Sequence, residues 1–119
     1  MKRNYVLFLK DILGSVENIR SFSKGLDKAG LKNNRLKQSA IVREIEIIGE
    51  AVKNLPISFR EKYSSVPWRD IAGMRDVIIH SYFDIDLDAV WKTIKDDLPR
   101  LGYQIESILK QEVSSKNKF

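Results

Sequence analysis

The sequence predicts an all-α fold: an antiparallel up-and-down helical bundle of four main helices plus a short one. Three observations lead there. Apolar residues recur at steps of three and four along most of the chain, the period of a helix with one buried face. No segment alternates apolar and polar residues between turn pairs, as a half-buried strand would. Four long amphipathic segments in 119 residues bury their faces most economically against one another. That length supports one core, so residues 1–119 are read as a single domain, with a polar tail from about 113 to 119 expected to fray.

The first helix is marked by Tyr5, Phe8, Ile12, Val16, Ile19 and Phe22. Lys24 to Gly30, continuing to Asn33 and Asn34, is polar, contains two glycines and reads as a loop. The second helix carries Ile41, Ile45, Ile48, Val52 and Leu55, and Pro56 marks its end. Residues 57–66 read as a short helical turn and loop. A third helix is expected from Pro67 to about Ile79, capped by Ser64 or Ser65, with Pro67 in a first turn that needs no N–H from it. The last helix is the clearest, with Leu87, Val90, Trp91, Ile94, Leu98, Leu101, Ile105 and Ile108 in register and Asp86 as its cap. Pro99 lies inside that pattern and is expected to kink or split it.

Composition narrows the chemistry. Cysteine is absent, which removes disulfides, thiolate nucleophiles and cysteine-based zinc sites together. One histidine excludes a two-histidine metal site within a single chain, and neither a metal nor a cofactor is expected. No apolar run reaches the 18 or so residues that span a bilayer, and the apolar stretch near the basic start is too short for a signal-peptide core. The chain is expected in the cytoplasm with no membrane association. A net charge of +5 permits nucleic-acid binding through counterion release without establishing it.

The candidate chemistry concentrates between Arg75 and Tyr82, Arg-Asp-Val-Ile-Ile-His-Ser-Tyr. His80 is the one histidine, and its side chain titrates nearest working pH, so any imidazole acid–base step runs through it. Arg75 supplies a permanent planar cation suited to phosphate, and Tyr82 a hydroxyl open to use or modification. On a wheel of about 100° per residue, Trp68, Ile71, Met74, Ile78, Ile79 and Tyr82 share an arc with Arg75 at its centre. A guanidinium there is costly unless paired. Glu44, among Ile41, Ile45, Ile48 and Ala51 of the second helix, is the matching anomaly, so an Arg75–Glu44 pair is expected, either purely structural or orienting Arg75. His80 stands about 140° from Arg75 if the helix continues, whereas Asp76 shares its face and is a candidate to hold the imidazole. Arg75 and His80 converge only if the helix ends near Ile79 or a second chain completes the site. Asp84, Asp86 and Asp88 begin like a calcium loop, but Ala89 and Lys95 stand where its glycine and glutamate belong, so they read as caps and first-turn acids.

The stretch resembles the motif of the HepT-like toxins of the HEPN superfamily: arginine, a polar residue, three more positions, histidine, any residue, tyrosine. Arg75, Asp76, His80, Ser81 and Tyr82 meet it. The segments Glu46–Ala51, Pro67–Ile71, Asp88–Lys92 and Asp97–Pro99 are similar to the family as well, so the likeness covers nearly the whole chain. It implies a homodimer in which two copies of the motif meet in a cleft. It also implies a metal-independent ribonuclease, the toxin of a type II toxin–antitoxin pair, partnered by a small MntA-type nucleotidyltransferase that attaches AMP to the motif tyrosine, here Tyr82.

Those residue types suit RNA cleavage through the ribose 2′-hydroxyl, a nucleophile already beside the phosphate. His80 is the expected acid or base and Arg75 the charge stabiliser, with Asp76 and Glu44 in supporting roles. Two other readings stay open. One is a non-catalytic nucleotide- or partner-binding module that docks the nucleotidyltransferase. The other is a purely structural dimer in which His80 is incidental.

Overall fold

A computed structural model describes the backbone of residues 5–81 and 84–116 and the side chains through Ser114. Three helices of 19 residues dominate it: α1 (Tyr5–Ser23), α3 (Arg35–Lys53) and α8 (Leu98–Lys116). Their directions follow from the contacts between them. Lys37, early in α3, lies over the ring of Phe22 at the end of α1. Tyr5, at the start of α1, stacks edge-on against Phe59, beyond the end of α3, with ring centroids 5.3 Å apart. Tyr63 beside Phe59 hydrogen-bonds Glu112, late in α8. Hence α1 runs antiparallel to both α3 and α8, as expected of an up-and-down bundle.

The core is the set of apolar positions that the period of 3.6 marks out. Ile12, Ile19, Ile41, Ile45, Ile48, Val52 and Ile105 are all at least 99% buried. Burial of each such aliphatic side chain is worth about 1.5–3 kcal/mol. Glycine is used where two backbones come close: a Cβ on Gly49 of α3 would sit 3.3 Å from the carbonyl of Ala72 on the neighbouring helix. Gly25, with φ of +79°, supplies the left-handed turn after α1.

Several elements differ from expectation. The loop after α1 contains a single-turn helix, α2 (Lys28–Lys32), capped by Asp27, whose Oδ1 accepts the N–H of Gly30. It exists because Leu31 buries completely and Lys28 and Lys32 both pair with Asp88. Helix α3 ends at Lys53, and Pro56 instead opens α4 (Ile57–Lys62). The expected third helix is two short ones, α5 (Trp68–Ala72) and α6 (Met74–Ile78), meeting at Gly73. Neither Ser64 nor Ser65 caps it; Pro67 occupies the cap position without a side-chain bond. The indole of Trp68 locks α5 instead, donating to the carbonyls of Arg60 and Tyr63 at 3.2 and 3.0 Å.

The chain then leaves the helical path. Ile79–Ser81 (β1) pairs antiparallel with Asp84–Ile85 (β2), a minimal hairpin that the absence of long alternation had not suggested. Asp86 caps α7 (Leu87–Lys92) through Oδ1 to the N–H of Ala89 at 3.0 Å, as the sequence indicated. A wide π turn over Thr93–Asp97 joins α7 to α8. It falls in the turn before Pro99, where the proline ring removes one bond and crowds the carbonyl four residues back. Helix α8 continues to Lys116, further than the polar tail implied. Among the described residues, no helix is long and apolar enough to cross a membrane.

Candidate functional site

Arg75 sits on α6 and its guanidinium is exposed, with about half of the side chain in water, rather than buried on an apolar arc. The arc itself is real: Trp68, Ile71, Met74 and Ile78 are all buried. Ending the helix at Ile78 and breaking it at Gly73 turns Arg75 off the buried face and toward the outer side of α3.

Its partner there is Glu46, not Glu44. The Arg75 Nε–H donates to Glu46 Oε2 at 3.1 Å, while Glu44 Oε1 accepts from the Asn18 side-chain amide of α1 at 2.9 Å. The two glutamates stand about 160° apart on the α3 wheel. They therefore border opposite flanks of its buried face: α1 takes the Glu44 side, and α5 with α6 takes the Glu46 side. Sequence reasoning weighed Glu44 by its apolar neighbours; the discriminating signal was which neighbouring helix lies on which flank. The Glu46 hydrogen bond is the main reason the Arg75 pKa is raised above its ordinary value, favouring a permanent cation.

Asp76 also serves Arg75, as a second and looser contact between its Oδ1 and Nη1 at 3.5 Å. It does not share a helical face with His80, because the helix has ended before His80. His80 lies on β1, where the pairing register shifts between Ile79 and Ser81, and half of its side chain is exposed. The acid facing it is Asp86, with His80 Nε2 3.8 Å from Asp86 Oδ2, an ion-pair distance rather than a hydrogen bond. Asp86 thus divides its oxygens, one capping α7 and the other facing the imidazole. Its role as cap was readable from sequence; its place beside His80 required the hairpin.

Ile78 anchors the whole stretch. Its side chain is buried, and its carbonyl accepts the Asp86 N–H at 2.8 Å. Arg75 and His80 thus project from opposite ends of one fixed residue. Among the described residues, no hydrogen bond or ion pair joins Arg75 to His80. Tyr82, the candidate site of AMP attachment, lies outside the described residues. Among the described residues, no group of three or more histidines and carboxylates is placed to hold a metal ion.

This arrangement presents an exposed cation and, separately, a half-exposed imidazole, groups suited to holding a phosphate and to moving a proton. Comparison with known proteins bears on which chemistry that is. The family model described as “Ribonuclease HepT-like” matches residues 12–108. A protein of Methanocaldococcus jannaschii named “Gamma-glutamylcyclotransferase and putative RNase” is 40% identical over 117 residues, 98% of this chain and 53% of its own length. The chain thus spans about half of that relative. A “Putative RNase” of Caldanaerobacter subterraneus is 45% identical over 105 residues, 88% of this chain and 94% of that one. A “Probable ribonuclease HepT” of Thermococcus cleftensis is 39% identical over 110 residues, covering 92% of this chain and all of that one. No solved structure matches.

Proposed function

The chain belongs to the HepT-like ribonuclease family, and from that premise we propose that it is an endoribonuclease that cuts RNA without a metal ion. The observation that carries this reading is the Arg75 guanidinium, exposed at the rim and gripped through Nε by Glu46, with Nη2 free of protein partners among the described residues. Such a group is presented outward to bind a phosphate, since a purely structural arginine would have its fork filled.

The proposed step is transesterification. His80 removes the proton of a ribose 2′-hydroxyl, and the 2′-oxygen attacks the adjacent phosphorus as the bond to the 5′-oxygen breaks. The leaving oxygen takes a proton from a second acid, and the products are a 2′,3′-cyclic phosphate end and a 5′-hydroxyl end. Arg75 stabilises the added negative charge on the non-bridging oxygens. Arg75 and His80 make no contact within one chain, which supports a homodimer in which His80 of the partner subunit supplies the second proton-transfer group. Asp86 faces the imidazole, its Oδ2 3.8 Å from Nε2, and orients the ring for the transfer.

In this reading the protein is the toxin of a type II toxin–antitoxin pair acting in the cytoplasm. A small MntA-type nucleotidyltransferase silences it by placing AMP on Tyr82, whose added phosphate would occupy the cleft and repel RNA. The experiment is incubation of purified protein with several RNA classes in EDTA, with Arg75→Ala and His80→Ala alongside. Cleavage to cyclic-phosphate ends by wild type, lost in both variants with the fold intact, is expected. Absence of cleavage with every RNA, with binding retained, would instead identify a nucleotide-binding module. Mass spectrometry after co-expression with the nucleotidyltransferase is expected to find AMP on Tyr82.

A further inference from the structure

Helix α3 carries an outward strip that leads to Arg75. Arg35, Ser39, Arg43 and Glu46 fall within about 80° of one another on its wheel, and the first three are exposed. Glu46 is the residue that grips Arg75, so the strip and the candidate site are continuous. The charges of Arg35 and Arg43 are also uncommitted. Among the described residues neither has an ion pair or hydrogen-bond partner, whereas Lys28 and Lys32 are spent on Asp88, Lys62 on Glu112, Lys92 on Asp97 and Lys110 on Glu106. No acidic residue lies on α3 before Glu44, so the strip is purely cationic until it reaches the Glu46–Arg75 pair.

We propose that this strip, Arg35, Ser39 and Arg43, is a phosphate-binding track that holds the RNA strand flanking the bond presented to Arg75. The inference rests on the ribonuclease reading for its direction, but its physical basis is separate. Successive positions four apart rise about 6 Å along the helix, a step commensurate with successive phosphates of an extended single strand. Two guanidiniums and a hydroxyl at that step offer donors to the backbone without reading bases, a sequence-tolerant mode of single-strand binding. Glu46 and then Glu50 end the track, so the strand leaves α3 where Arg75 stands.

The test is fluorescence anisotropy with a labelled, uncleavable 2′-O-methyl RNA single strand, across a salt series. Arg35→Ala/Arg43→Ala is compared with wild type and with Arg100→Ala, an exposed arginine of α8 that is not part of the strip; circular dichroism checks the fold of each. Each phosphate contact removed is expected to lower the salt slope by about 0.7, and the double variant to bind at least tenfold more weakly at low salt. Arg35→Lys/Arg43→Lys is expected to keep much of the binding that the alanine double variant loses, and Arg100→Ala to bind as wild type. Equal binding by the double variant, an equal loss in Arg100→Ala, or no binding by wild type would each overturn the track. Cleavage measured in parallel separates the two claims. Weakened binding by the double variant without cleavage by any protein keeps the track and removes the ribonuclease; cleavage with unchanged binding does the reverse.

Discussion

Ile78→Ala is the sharpest test of how the fold presents its site. Ile78 is 1% exposed and lies between Arg75 and His80, while its neighbour Val77 is 64% exposed. The substitution removes three carbons from the core, worth about 2.4 kcal/mol at about 0.8 kcal/mol per buried methylene. The unfilled cavity raises the cost to about 3–4 kcal/mol, within the range for large-to-small core changes. Val77→Ala removes two carbons already in water and is expected to change stability by less than about 0.5 kcal/mol. Urea unfolding followed by circular dichroism, at one protein concentration for all variants, measures both. In a thermal scan the Ile78 variant is expected to melt on the order of 10 °C lower. A cost below about 1 kcal/mol for Ile78→Ala, or an equal cost for Val77→Ala, would refute the placement of this helix face.

Other consequences follow from the same geometry. Glu46→Ala is expected to slow RNA cleavage by up to about 100-fold, because Arg75 loses its orienting bond, while Glu44→Ala leaves the rate near wild type; steady-state kinetics on one RNA compares them. Gly49→Val is expected to cost about 1–3 kcal/mol by forcing α3 from α5, read by urea denaturation. Asp88 has its pKa lowered chiefly by its bond to Lys28 and then by that to Lys32. Its contribution is therefore present above the ordinary carboxylate value of about 3.9 and is lost as pH falls through its depressed value. Asp88→Asn should melt slightly below wild type at neutral pH, and the gap should close below about pH 4 and in high salt; melting curves across pH and salt check it.

Much of this molecule was legible in its sequence because local physics decided it. The buried faces of α1, α3 and α8 follow from the spacing of aliphatic residues, the start of α7 from Asp86, and the irregular turn before α8 from Pro99. The motif from Arg75 to Tyr82 was visible as residue types at a spacing, and the family it resembles is the one whose model matches residues 12–108. Tertiary structure decided what those residues face. Arg75 pairs with Glu46 rather than Glu44 because two carboxylates two positions apart on a helix look out on opposite neighbours, and only packing determines which neighbour lies on which side. His80 faces Asp86 rather than Asp76 because burying Ile78 and bonding its carbonyl to the Asp86 amide end the helix before His80 and fold the chain back as a hairpin. A helical wheel assumes the helix continues, and here the core stops it.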